Sequence, residues 1–258
     1  MNRHSLLYTR GLNQHIKPMR VYCPIENIGA DTISITDPNQ LHHLLHVLRL
    51  KKEDVIGIFD GNKEYECRVC DISKTKIEAR ILKVKKVKAS SALNIALACA
   101  IPKKVKLDYI IEKCTELGVN RIIPLITERT IVRIEGEKAA AKLRRWEKIA
   151  REASQQSGRV SFPVIDEVQK FDQAVLLTKD YDLALIPNLK SGNINIREAA
   201  GKFKGKSVIV FIGPEGDFSE KEIKLAEDSG CTSVSLGKLV LKVDTAAMAI
   251  VSFLRLQQ

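Results

Sequence analysis

Six short apolar runs rich in β-branched residues, at 93–100, 122–127, 164–168, 182–186, 207–212 and 233–236, alternate with helical patterns over the second two-thirds of the chain. Such alternation commits a sequence to a mainly parallel α/β sheet, because parallel neighbours need a crossover and the crossover helices cover the sheet's faces. Ligands bind sheets of this kind beyond the carboxyl ends of the strands. Two of the strand-to-helix turns stand out. The run 207–212 is broken by Gly213-Pro214-Glu215-Gly216 ahead of a helical pattern at 220–229, and 233–236 is broken by Gly237 ahead of a loop and a terminal helix at 244–256, with Asp244 as its N-cap. Either turn alone reads as punctuation. Together, with glycines that let backbone approach a ligand closely, they read as two walls of a cofactor pocket.

Residues 20–88 have another grammar, with short strands at 20–24, 32–36, 55–59, 64–71 and 76–87 that predict a small barrel or sheet. One helix, at 38–50 with Asp37 as N-cap, groups Leu41, Leu44, Leu45 and Leu48 on one face. Asp60-Gly61-Asn62 is a hairpin turn. The net charge of +11 favours a polyanionic partner. Residues 1–88 hold 16 Lys and Arg against 10 Asp and Glu, so the smaller domain is the more densely positive one. Lys83, Lys85, Lys86 and Lys88 serve either RNA or the protection of a sheet edge. His42 and His46 share a helix face, but no further ligand comes at metal spacing, and a solvated or RNA-facing helix end is the favoured reading; no metal is expected. Cys67 and Cys70, three apart in a strand, face opposite sides. Six scattered cysteines suit a reducing cytoplasm, and no run of about 18 apolar residues is present to span a membrane. Residues 1–18, with Arg3, Arg10 and Lys17 and no acidic residue, read as a basic extension; Leu6-Leu7 supplies little of a presequence's amphipathic face.

Three stretches of the α/β part carry candidate chemistry. Lys103, Lys104 and Lys106 open a helix whose buried face is Ile110, Ile111, Cys114 and Leu117 and which Gly118 closes; their charge opposes the helix dipole, which either a phosphate or solvent can offset. Arg129 and Arg133 come after a strand end, where their forked donors suit a phosphate or a base edge, with pairing to Glu128 or Glu135 as the structural alternative. Glu152, Gln155, Gln156 and Arg159 cluster near the end of a third helix. There is no Ser-His-Asp set, zinc constellation, Walker loop or Gly-x-Gly-x-x-Gly opener.

The runs Ile-Gly-Pro-Glu-Gly-Asp-Phe-Ser at 212–219 and Leu-Gly-Lys-Leu-Val-Leu-Lys-Val-Asp-Thr-Ala at 236–246 resemble the two C-terminal motifs of the RsmE family, SPOUT-class enzymes that methylate N3 of a uridine in 16S ribosomal RNA. His-Leu-Leu-His-Val-Leu-Arg-Leu at 43–50, the helix at 101–119 and Glu-Ala-Ser-Gln-Gln-Ser-Gly-Arg at 152–159 are similar to other segments of that family. The resemblance spans about residues 19–258. It implies a PUA-like RNA-binding barrel at 19–88 and, at 92–258, an α/β SPOUT domain with a trefoil-knotted parallel sheet that works as a homodimer. S-adenosylmethionine would lie against Leu185, Ile186 and Pro187, against Gly213, Pro214, Glu215 and Gly216, and against Leu236, Gly237, Leu239, Val240, Leu241 and Lys242. The partner would be 16S rRNA or the assembled small subunit, met by Arg20, His43, Arg49, Lys103, Arg133, Gln155 and Gln156. For catalysis, Arg129 or Arg159 is the candidate to hold a deprotonated uracil, and Glu152 the candidate base unless Lys148 pairs with it. The chain departs from the family at Asp217, usually Gly and here expected just before a helix start, and at Lys242 and Asp244, usually Arg and Glu. The alternatives are a SPOUT enzyme acting on a ribose or a transfer RNA base, and an inactive RNA-binding assembly factor.

Overall fold

The computed structural model describes residues 20–86, 93–103, 106–132, 134, 136–190, 192–201 and 203–257. The chain forms two compact units, Met1–Val87 and Lys88–Gln258.

The first unit contains β1 (Arg20–Tyr22), β2 (Thr32–Ile35), α1 (Pro38–His42), β3 (Val55–Phe59), β4 (Lys63–Ile72) and β5 (Ile77–Lys86). Its sheet runs β1-β3-β4-β5-β2, antiparallel except where β1 joins β3. Alternation along the strands sends Ile33, Ile35, Ile56, Ile58, Cys67, Val69 and Ile77 into one apolar core. The β3–β4 turn is fixed by Asp60, whose Oδ1 accepts N–H from Asn62 and Lys63, both at 2.7 Å, while Gly61 takes φ +100°. Strand β5 is interior beside β2 only over 77–80, so the half carrying Lys83 and Lys85 pairs with β4 alone.

Asp37 caps α1 as expected, accepting the Gln40 N–H at 2.9 Å. The expected continuous helix over 38–50 does not form. His43–Val47 widens into a π-helical turn and Arg49 ends it at φ +53°. A π turn inserts a residue and rotates the chain beyond it about the helix axis. Leu48 therefore leaves the apolar face and is 43% exposed, while Leu50 turns inward in its place.

The second unit runs β6 (Asn94–Ala100), α2 (Lys106–Glu116), β7 (Arg121–Ile126), α3 (Glu137–Ser157), β8 (Val164–Ile165), β9 (Gln169–Lys170), α4 (Phe171–Ala174), β10 (Leu183–Pro187), β11 (Ile194–Asn195), α5 (Ile196–Gly201), β12 (Ser207–Ile212), α6 (Glu220–Asp228), β13 (Thr232–Ser235) and α7 (Val243–Leu256). All pairings are parallel, in the order β11-β13-β10-β12-β6-β7-β8, with β9 also beside β7. The central strands are apolar on both faces, as helices on both sides require. Ile95, Leu97, Val208 and Val210 pack beneath α2, α3 and α7, whereas Ala96, Ala98, Ile209 and Phe211 pack beneath α4 and α6.

Two expectations are corrected here. The run 164–168 is strand only at Val164–Ile165; Asp166 turns to accept the Arg121 guanidinium at 2.9 and 2.7 Å, and a second short strand, β9, begins at Gln169. Asp244 does not cap α7. The helix starts at Val243, after an extended Lys242 whose carbonyl accepts the Ala246 N–H at 2.8 Å, and Asp244 lies within the first turn.

Burial pushes the thiols of Cys23, Cys67, Cys114 and Cys231 up to about 12 and raises Cys99 as well, whereas Cys70 is exposed on β4. The thiolate is the reactive form. Alkylation of the native protein near pH 8, read by peptide mass spectrometry, should modify Cys70 first and reach the other five only after denaturation; early labelling of Cys67 would contradict the strand register.

Candidate active site

Strands β10, β12 and β13 are neighbours or next neighbours in a parallel sheet, so the turns after them emerge side by side. They enclose a cavity of about 380 Å³ whose wall includes Pro187, Asn188 and Leu189 after β10, Ile212 to Glu215 and Asp217 after β12, and Ser235 to Gly237 with Leu239 to Val243 after β13. Lys106 and Ala246 complete it from α2 and α7.

The middle turn leaves the β12 ladder and has its backbone groups met by side chains from elsewhere. Arg129, just beyond β7, donates from Nη1 to the carbonyls of Gly216 at 2.6 Å and Phe218 at 3.3 Å. Glu222 in the first turn of α6 accepts from Glu128 N–H at 2.8 Å and from Ser219 N–H at 2.9 Å, while Ser219 caps α6, completing a capping box. Glu215 accepts the Lys103 N–H at 3.1 Å and lies 4.0 Å from the Lys106 ammonium. Asp217 is not the helix cap. It sits at φ +60°, and its carboxylate accepts the N–H of Leu189 at 2.9 Å and of Phe218 at 2.8 Å, stapling the turn after β12 to the turn after β10. Gly213 is hemmed by Phe218, whose ring and N–H would lie 3.1–3.2 Å from an added Cβ. At Gly237, with φ +127°, a Cβ would meet nothing within 4 Å.

A family model described as an RNA methyltransferase domain matches residues 89–255, and an RNA methyltransferase PUA domain matches 35–82. Ribosomal RNA small subunit methyltransferase E of Bacillus subtilis is 32% identical over 235 residues, covering 88% of this chain and 91% of its own length. The chain belongs to the ribosomal RNA small subunit methyltransferase E family. Among solved structures, the Neisseria gonorrhoeae member of this family bound to S-adenosylmethionine superposes with a TM-score of 0.80 at 31% identity, covering 93% of this chain and 97% of that one. A Legionella pneumophila methyltransferase with bound cofactor SAM gives 0.82 at 34%, covering 94% and 98%.

Within this methyltransferase E fold the sequence-derived site residues do not all converge. Pro187, Gly213, Pro214, Glu215, Leu236, Gly237, Leu239, Val240, Leu241 and Lys242 line the cavity. Leu185 and Ile186 are fully buried in β10 and send their side chains into the core. Gly216 lies under Arg129, 3.4 Å from its Cδ if a Cβ is added. Arg159 is at the wrong end of the sheet. Its Nη1 donates to the carbonyls of Thr115 and Val119 at 2.8 and 2.7 Å, just ahead of β7, beside Arg255, which holds the carbonyls of Gly118 and Leu93. Burial, and then the charge of Arg255, bring its guanidinium down to about 10. The length of β7, at about 3.3 Å per residue, separates this brace from Arg129 by roughly 20 Å. Glu152 pairs loosely with Lys148 at 3.9 Å and, with Gln155 and Gln156, borders a groove between α2 and α3. Neither Glu152 nor Arg159 borders the cavity.

In the first unit His43 and Arg49 are exposed beside the π-helical turn, whereas Arg20 is folded against Glu64 at 3.4 Å and over the Phe59 ring at 5.4 Å. The Lys103 side chain is exposed; Arg133 lies outside the described residues. Sequence reasoning missed Lys106 as a wall residue and Asn188, Leu189 and Asp217 as parts of the site. The signal available for the last three was position, since all come immediately after strand ends or a glycine turn. Lys242 and Asp244 form no ion pair with each other, and Asp244 Oδ1 is buried without a hydrogen-bond partner among the described residues.

Arg129→Ala removes a charged clamp on two loop carbonyls, and bonds of that class contribute about 1.5–3 kcal/mol. Amide exchange across 216–218 should become at least about tenfold faster, measured by hydrogen–deuterium exchange. Unchanged protection there would show that Glu222 and Asp217 hold the turn without it.

Proposed function

We propose that this protein methylates N3 of a uridine in the 16S rRNA of the small ribosomal subunit, using S-adenosylmethionine. The cavity at the carboxyl edge carries the reading. Its size lies in the range of small-cofactor sites. Leu236, Leu239, Val240 and Leu241 give it an apolar wall suited to an adenine ring, and the carboxylates of Glu215 and Asp217 give it a negative field suited to a sulfonium and an ammonium. Gly237 takes φ +127°, a conformation that favours glycine, and so sets the shape of the turn after β13. The family's printed name and the cofactor-bound structures support the same assignment.

S-adenosylmethionine supplies the electrophilic methyl group when bound. The chain's residues then have three tasks: to hold the cofactor by backbone and apolar contacts, to bring the uracil N3 within about 3–3.5 Å of it, and to ease loss of the N3 proton. The loop clamp by Arg129 serves the first. RNA docking falls to the densely basic barrel at 19–88, with His43 and Arg49 presented at its surface, and chemistry to the domain at 92–258. The reading includes a trefoil knot; the return of β13 to the flank of β10 opposite β12 supports it. It also includes a homodimer. A cytoplasmic location accords with six unpaired cysteines and with the lack of any helix, among the described residues, long and apolar enough to cross a membrane.

Titration calorimetry should detect S-adenosylmethionine binding that Gly237→Ala weakens by roughly 5- to 150-fold, since φ +127° strains any side chain by about 1–3 kcal/mol and the turn changes shape to relieve it. Wild-type protein that ignores millimolar cofactor would exclude every methyltransferase reading. In cells lacking the protein, mass mapping of 16S rRNA should reveal one uridine without its N3 methyl. A fully methylated 16S rRNA would redirect the search to another RNA.

A further inference from the structure

Loss of the N3 proton leaves negative charge spread over N3 and the two flanking carbonyl oxygens of uracil, and a donor placed there beforehand lowers the barrier. The group that does this has to border the cofactor cavity, because the attacking nitrogen and the methyl carbon must nearly touch. That requirement removes Arg159, which braces the opposite edge of the sheet, and Glu152, which borders another groove. Arg129 is not among the residues that line the cavity, and its Nη1 is committed to the carbonyls of Gly216 and Phe218. Among the described residues two cationic side chains remain on the wall, Lys106 and Lys242.

They are not equivalent. Lys242 is exposed on the long turn between β13 and α7. Lys106 starts α2 and is followed by Leu107, 3% exposed in the core, so its backbone is fixed by helix packing. Its ammonium stands 4.0 Å from Glu215, beyond hydrogen-bond reach, and makes no hydrogen bond among the described residues. Glu215 is itself tied down by the Lys103 N–H. A cation is thus held at the cavity wall with its donors uncommitted.

We propose that Lys106 is a catalytic residue of the methyl transfer, donating to a uracil carbonyl oxygen and stabilising the N3-deprotonated base. This rests on the uridine-N3 reading. The N3–H bond breaks with its proton passing to solvent, the nitrogen's electron pair forms the N–CH3 bond, and the electron pair of the breaking S–CH3 bond remains on sulfur. Lys106 keeps its own protons throughout.

The test compares wild type, Lys106→Met and Lys106→Arg on small subunits from cells lacking the protein, with kcat measured from pH 6.5 to pH 9.5, roughly the span over which a weak base-edge acid is drawn out by a cation, and with cofactor affinity measured by calorimetry. Lys106→Met should lower kcat about 100-fold near neutral pH, the loss typical of removing one transition-state donor, with S-adenosylmethionine affinity within about threefold of wild type. Its deficit should shrink as pH rises, because the wild-type rate levels off once the bound uracil is ionised while the variant's continues to climb. Lys106→Arg, which keeps the charge, should recover a substantial part. A deficit equal at every pH, or a parallel loss of cofactor affinity, overturns the proposal and makes Lys106 a structural or cofactor-holding residue. Wild-type protein inactive on these subunits removes the uridine reading itself, and this inference with it.

Discussion

The cavity exists because a turn that has left the sheet keeps its shape. Residues 213–218 make no ladder hydrogen bonds, and backbone polar groups withdrawn from a ladder cost stability unless they are met elsewhere. Here Arg129 from beyond β7 takes the carbonyls of Gly216 and Phe218, Glu222 in α6 joins the Ser219 N–H to the Glu128 N–H, and the turn's own Asp217 carboxylate reaches across to the Leu189 N–H. Each contact crosses from one strand-end turn to another. The three turns are therefore one assembly, and the apolar wall formed by Leu236 and Leu239 to Leu241 has something fixed to face. The parallel sheet supplies the common edge; these few charged hydrogen bonds make the edge a site.

The sequence was most legible where chemistry is carried by backbone. Glycines at 213 and 237 and the strand ends before them placed the cavity, because the requirement for a missing side chain is written in the residue itself. Five of the six strand runs were legible for a similar reason: burial on both faces demands uninterrupted apolar residues, and β12 occupies 207–212 as expected. Legibility failed where a role depends on which end of a long element a residue reaches. Arg129 and Arg159 look alike as polar residues near secondary-structure ends. One comes after the carboxyl end of β7, and the other closes a 21-residue helix that has run back past the sheet. The π-helical turn at His43–Val47 was invisible as well, since the spacing of Leu41, Leu44, Leu45 and Leu48 fits an unbroken α-helix, and only the competing burial of Leu50 decides otherwise.

Arg159 and Arg255 show what a charged residue does when it is not part of the chemistry. Together they hold the carbonyls of Thr115, Gly118 and Val119 around the end of α2 and that of Leu93 just ahead of β6. Burial lowers both guanidinium groups, the charge of Arg255 adds to the lowering at Arg159, and the carbonyls around them offset that cost. This brace locks α3 and α7 to the amino edge and leaves the opposite edge to ligands. Charge is divided accordingly: fixed inside the fold at one end of the sheet, and available to substrate at the other.

Asp217 makes the same point at the scale of one residue. The family pattern this sequence resembles has glycine there, which accepts φ +60° without strain, whereas a residue with a Cβ gives up about 1–2 kcal/mol, least for Asp and Asn. The charged carboxylate accepts two hydrogen bonds, from Leu189 N–H and Phe218 N–H, and bonds of that class contribute about 1.5–3 kcal/mol each before screening. The balance favours aspartate wherever the turn after β10 needs an anchor. What looks like a lapse from the family pattern is a trade of backbone ease for a tie between two walls of the cavity.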